Sequence, residues 1–199
     1  MLEFKDATIA IGEKTLAEGL SFIARDGEMT CLTGSEGSGK TTLIRTLMGF
    51  LPVKKGFVSV DGELLTIYSS YAFRTLMTYL PQRMQLLAHQ LKAPEPPACE
   101  EDEYGVWNGL MPVTVPEQPA DPLSPDEIFQ LAERTIQEGA DKPILIADEP
   151  AVCLTPELTQ RLLALLQQEA AKGKTVLIAS RRPELVSRAQ LVIDLDRLR

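Results

Sequence analysis

Residues 34–41, GSEGSGKT, constrain the fold of this chain more than any other stretch. They fit the spacing G-x-x-x-x-G-K-[ST] without a gap. An apolar run, TCLT, comes just before them, and helical spacing (Leu43, Leu47, Phe50) begins inside them and predicts a helix that ends at Pro52. A strand that feeds a glycine-rich turn and then a helix is an arrangement suited to phosphate. Gly34, Gly37 and Gly39, with Ser35, Glu36 and Ser38 between them, let successive backbone N–H groups turn inward around the α- and β-phosphates, at the positive end of a helix. Lys40 can reach the β- and γ-phosphates and Thr41 can offer a hydroxyl to Mg²⁺, with Thr42 in the same candidate set. The alternative, a turn without a ligand, leaves the lysine of this crowded loop with little use.

A phosphate site that binds Mg²⁺ needs an acidic partner, and ILIADEP supplies one. Asp148 emerges from a short apolar run that fits a strand buried on both faces. A carboxylate there is costly unless it faces a cation or donors. Glu149, one residue on, is placed to polarise an attacking water. An Asp-Glu pair after an apolar strand is a weak signal alone and a strong one about a hundred residues after a phosphate loop.

Composition narrows the surroundings. At 44% apolar and 24% charged, the chain is an ordinary globular one, and no run of about 18 apolar residues offers a membrane span. The opening MLEFKDATIA lacks the uninterrupted apolar region of a signal peptide. A net charge of −8 argues against a nucleic-acid partner, which would need a clustered basic face. Cys31, Cys99 and Cys153 form no CxxC pair, which fits a reducing cytoplasm with neither a disulfide framework nor a zinc site.

The first third reads as β-rich, in LEFKDATIA, LSFIARDGEMTCLTG and GFVSVDGELL, with a further short strand in LMTYLP before Gln82. From Ala93 to Pro125 there are eight prolines, the cluster CEEDEY and no lysine or arginine. Long regular elements are not expected there. The stretch reads as an exposed acidic loop or as a partner-docking insertion anchored by Tyr104 and Trp107. Helical order resumes at SPDEIFQLAERTIQ, where Ser124 caps, Pro125 starts and Glu127 completes a capping box. The rest alternates: strand ILIA, helix TPELTQRLLALLQQEAAKG with Thr155 as cap and Gly173 as stop, then strands KTVLIAS and QLVIDL. Strands alternating with helices imply a mostly parallel sheet, so the fold class is α/β.

These motifs together resemble the ATP-binding subunits of ABC transporters, over nearly the whole chain. The resemblance rests on GSEGSGKTT (Walker A), YLPQ ending in Gln82 (Q-loop) and ILIADEP (Walker B and catalytic glutamate), with weaker echoes in LMGFLPVKKGFVSVDG and TVLIASRRPEL. It implies a P-loop NTPase of the ABC ATPase type: an N-terminal antiparallel β part, a mostly parallel core sheet flanked by helices, and a reduced helical subdomain. The chain, residues 1–199, is then one ATP-binding domain with an atypical acidic, proline-rich insertion at about 84–123. The resemblance further implies ATP and Mg²⁺ as ligands, with Thr41, Gln82 and Asp148 at the metal and Glu149, Lys40 and Gln82 in catalysis. A second ATP-binding subunit, head to tail, would be one partner and a membrane-spanning protein another, placing the chain in the cytoplasm at the inner face of the membrane. Asn108 is the only asparagine and Gly109 follows it, so no guanine motif NKxD exists and ATP is the expected nucleotide.

The chain departs from that family in four places. Ile11 stands where an adenine-stacking aromatic is usual, and it packs without π-stacking. LSPDE, residues 123–127, stands where the signature LSGGQ is expected. Pro125 has no N–H to give a partner's γ-phosphate, and Asp126 and Glu127 would face it with like charge, each costing about 3 kcal/mol at ~5 Å and an effective dielectric of about 20. Arg181 aligns with the switch histidine, carries a permanent charge and either contacts a γ-phosphate or is an exposed strand-end arginine. Thr155 replaces an aspartate in the loop after Glu149. The one histidine, His89, has no assigned role. The expectation is an ATPase subunit that relies on a partner's signature motif. The alternatives are an ATP-binding regulatory or scaffold subunit with little hydrolysis and, third, a small-molecule kinase.

Overall fold

A computed structural model describes residues 1–11, 14–66, 68–84 and 123–198. The stretch 85–122, which holds His89, Cys99, Tyr104, Trp107 and most of the expected insertion, lies outside the described residues, as does the side chain of Ile11.

Two sheets form the frame. The N-terminal sheet has the order β2-β1-β4-β5, from β1 (Leu2–Ile11), β2 (Lys14–Ala24), β4 (Lys55–Val60) and β5 (Glu63–Leu64). All its pairings are antiparallel. Phe4 lies opposite Phe22, and their rings stack with centroids 4.7 Å apart, a cross-strand pair that helps fix the register. The second sheet has the order β6-β7-β8-β3-β9, from β3 (Met29–Thr33), β6 (Met77–Leu80), β7 (Ile144–Asp148), β8 (Thr175–Ala179) and β9 (Leu191–Asp194). Its pairings are all parallel. The run LSFIARDGEMTCLTG is thus two strands, one per sheet, parted by the turn at Asp26 and Gly27.

Among the described residues, five helices accompany the strands: α1 (Lys40–Leu47), α2 (Ser70–Thr75), α3 (Pro125–Glu138), α4 (Pro156–Ala171) and α5 (Pro183–Val186), with a 3₁₀ turn at Leu195–Leu198. The apolar strand ILIA is buried on both faces, as its composition requires. Ile144 and Ile146 join a core with α1 residues Leu43, Ile44 and Leu47 and with the N-terminal sheet. Leu145 and Ala147 point the other way, into a core built on Ile128, Phe129 and Ala132 of α3 and Leu162, Leu163 and Leu166 of α4. Sheet alternation therefore feeds two cores from one strand.

Helix α1 stops earlier than the expected end at Pro52. Gly49 takes φ 74°, and the amide of Phe50 donates to Arg45 O at 2.9 Å. That is a Schellman closure, which needs the left-handed residue that glycine supplies. Among the described residues no helix is long and apolar enough to cross a membrane.

Because β6, β7, β8, β3 and β9 run parallel, their C-terminal ends share one edge of the sheet. In open α/β sheets ligands bind outside that edge. Every segment that matters below leaves the sheet there.

Candidate functional site

Strand β3 delivers the loop 34–39 at this edge. Gly34 takes φ 139°, and a Cβ there would lie 2.8 Å from Ser38 Oγ, so only glycine lets the loop fold back on itself. The ammonium of Lys40 donates to the carbonyls of Gly34 at 3.0 Å and Ser35 at 3.1 Å, tightening the turn. Helix α1 begins at Lys40 with no side-chain cap and no acidic residue in its first turn. Its dipole and first amides thus meet no side-chain cap at that end, which favours an anion there.

The loop borders a cavity of about 430 Å³. Residues 36–42 form one wall; Lys14 and Leu16 of β2, Gln82, Glu149 and Arg181 supply the others. That places Glu36, Gly37, Ser38, Gly39, Lys40, Thr41, Thr42, Gln82 and Glu149 of the expected set on one cavity. Gly34 and Ser35 sit behind the wall. Ile11 ends β1 opposite Lys14, near this region in the register.

Asp148, the last residue of β7, is 1% exposed and meets Thr41, which lines the cavity. Thr41 Oγ1 donates to its Oδ1 at 3.2 Å, and its Oδ2 is buried without a hydrogen-bond partner among the described residues. Burial pushes its carboxyl above the usual range, the charge of Glu149 adds to that, and the Thr41 bond opposes it. A buried acceptor left open beside a hydroxyl is what a divalent cation would complete, so these residues fit Mg²⁺.

Glu149 takes φ 46°, the left-handed region that a non-glycine residue rarely visits, with its amide donating to Ala179 O at 2.8 Å. Such strain gathers at functional sites. Its Oε1 lies 3.6 Å from Lys40 Nζ and 3.5 Å from Arg181 Nε. Arg181 also reaches Glu36, Nη1 to Oε2 at 3.8 Å. Arg181 therefore lines the site rather than standing apart from it.

Two contributors carry no signal in sequence. Asp196 accepts from Ser35, from its amide at 2.6 Å and its hydroxyl at 2.8 Å, and so anchors the start of the phosphate loop from 161 residues away. Arg182 donates to Leu154 O at 3.3 Å and to Thr159 Oγ1 at 3.0 Å, tying the loop after Glu149 to the strand end that carries Arg181.

LSPDE lies away from this cavity and behaves as a helix start. Ser124 Oγ accepts the amide of Glu127 at 3.3 Å, while the Glu127 carboxylate accepts both the amide and the hydroxyl of Ser124 at 2.8 Å. The capping box is complete. Thr155 caps α4 likewise, accepting from the amide of Leu158 at 3.3 Å.

Comparison with known proteins agrees with the geometry. A family model described as ABC transporter matches residues 17–152. The chain is 31% identical over 198 residues to an ATP-dependent lipid A-core flippase of Burkholderia thailandensis, covering 93% of this chain and 33% of that protein. It is 31% identical over 202 residues to a putative ABC transporter ATP-binding protein of Methanosarcina acetivorans, covering 88% of this chain and 71% of that one. The chain thus spans a third of the length of the flippases it matches. Among solved structures, a bacterial Atm1-family ABC exporter with ATP bound superposes at TM-score 0.72 with 18% identity, over 98% of this chain and 37% of that one. A dimeric ATP-binding cassette in a post-hydrolysis state with ADP and Pi superposes at TM-score 0.70 with 16% identity, over 98% and 94%.

Proposed function

The chain belongs to the ABC transporter family as an ATP-binding domain, and from that membership we propose that it binds Mg-ATP in the 430 Å³ cavity and hydrolyses it within a larger transport complex. The observation that carries this reading is the meeting of two distant segments, Lys40 with Glu149 at 3.6 Å and Thr41 with Asp148 at 3.2 Å.

The residues divide the work. Backbone amides of the loop and of the first turn of α1 hold the phosphates, and Lys40 moves from its carbonyl partners toward the β- and γ-oxygens. Thr41, Asp148 and Gln82 would hold Mg²⁺, whose charge would offset that building on the phosphoryl oxygens. Glu149 positions the attacking water and takes its proton, from a carboxylate held at the cavity edge by its strained backbone.

The partner is a second ATP-binding subunit that brings its own signature motif to this cavity. Ser124 in this chain already spends its hydroxyl and amide on Glu127, so a second copy is poorly suited to that task. A membrane-spanning partner would dock near Gln82, which puts the chain at the cytoplasmic face. A second reading, an ATP-binding regulatory subunit with little turnover, draws on the same Ser124–Glu127 bonds and on the hold of Lys40 and Arg181 on Glu149.

Steady-state hydrolysis by the chain with its co-purified partners, beside Glu149→Gln, separates the two. The variant should keep its affinity for Mg-ATP and lose at least about a hundredfold in rate. A wild-type chain that binds Mg-ATP but turns over no faster than the variant would leave only the regulatory reading.

A further inference from the structure

We propose that Glu36 is a positioning residue: its carboxylate holds Arg181 at the cavity, and this hold sets how strongly the chain prefers a nucleoside triphosphate to a diphosphate. The inference rests on a nucleotide occupying the cavity.

Glu36 stands in the phosphate loop at a position that asks nothing of its side chain. That side chain is 91% exposed, yet it reaches the guanidinium of Arg181 at 3.8 Å, and Arg181 reaches Glu149 at 3.5 Å with its other edge. The result is a bar of three charged groups, Glu36–Arg181–Glu149, on the same cavity as Lys40. Both Glu36 and Arg181 line the cavity.

The two ends of the bar differ in strength. At the Glu149 end the acidic side chain is 9% exposed, and water screens this pair less than the other. At the Glu36 end the pair is exposed and weak. An entering anion therefore releases the Glu36 end first. A terminal phosphate near Lys40 competes with two carboxylates for the Arg181 fork, which matches phosphate geometry and stays charged at every working pH. A diphosphate, one group shorter, leaves the bar in place. Glu36 opposes the triphosphate by competing for Arg181.

The signs of the expected effects are opposite, which makes the test sharp. Calorimetry would measure binding of ADP and of a non-hydrolysable ATP analogue, each with Mg²⁺, to the full chain. Glu36→Gln should tighten the ATP analogue about two- to fivefold at low salt and ADP little, a gain that shrinks as salt rises. Arg181→Ala should weaken the ATP analogue at least about tenfold and ADP less than about twofold. With Arg181→Ala in place, adding Glu36→Gln should bring no preference for the triphosphate, and Arg181→Lys should restore part of it. Equal tightening of both nucleotides by Glu36→Gln, or the same gain with and without Arg181, would overturn the proposal, because Glu36 would then act only as a diffuse charge. If the wild type binds neither nucleotide, the functional reading falls and takes this inference with it.

Discussion

Asp148 shows how one side chain can lower the stability of a protein so that a ligand can restore it. Its carboxylate is buried, one oxygen has no hydrogen-bond partner among the described residues, and Thr41 supplies a single donor to the other. A charge so placed disfavours the folded state without ligand. Because the folded carboxyl titrates above its ordinary 3.8, the folded chain holds that proton more firmly than the unfolded one. The contribution of Asp148 to stability is therefore best below 3.8 and falls as the pH rises through the raised folded value. Asp148→Asn should remove this dependence and raise the melting temperature of the ligand-free chain by about 2–4 °C, the worth of about 1 kcal/mol at this length. It should also cut the extra stabilisation that Mg-ATP gives. Thermal melts with and without Mg-ATP check both, and an unchanged Mg-ATP shift would argue against a metal at Asp148. The place of Asp148 and Glu149 at a strand end was legible in sequence, because ILIA fits a doubly buried strand and the two acids follow it. The contacts of Arg181 were not. The motif gives its position after β8, but the carboxylates it meets come from two other strand ends, a relation only the folded sheet defines.

Helix α3 makes a different point at the level of the element. Its start, SPDEI, is written for local stability: cap, proline and reciprocal glutamate all turn inward on the helix itself. Ser124→Ala should cost about 1 kcal/mol in chemical unfolding, the ordinary worth of such a cap, and leave nucleotide affinity of the isolated chain unchanged. A loss of affinity would instead tie this helix end to the cavity. Elements with caps or strong periodicity (α3, α4, β7, β8) could be read from the chain. Those that escaped are short. Helix α2 has six residues and α5 four, too few for a helical period to show, and the end of α1 turned on the left-handed Gly49 rather than on Pro52. The 3₁₀ turn at Leu195–Leu198 is of the same kind, though it carries Asp196, the anchor of the phosphate loop.

At the scale of the whole molecule, the proposed function makes the cavity one half of a site that a partner completes. Two copies of this chain would each present Asp126 and Glu127 where a donor is wanted, so self-association should be poor. The Glu149→Gln chain with Mg-ATP should sediment as a monomer alone and as a dimer with a second ATP-binding subunit bearing LSGGQ. A stable ATP-dependent homodimer would refute this. The α/β class follows from the alternation of strands and helices, and the antiparallel opening from the family likeness. The order β6-β7-β8-β3-β9 does not, because pairing between distant strands leaves no local mark. That order has a kinetic consequence. Strand β3 sits between β8 and β9, which come from the far end of the chain, and its phosphate loop is fastened by Asp196. A nascent chain that has emitted GSEGSGKT thus owns the letters of the phosphate cradle but not its shape. It must wait for β8, β9 and Asp196 to be made, and such long-range closure is slow. Under the proposed function, capture of nucleotide therefore follows the pairing of β3 with β8 and β9 and does not precede it.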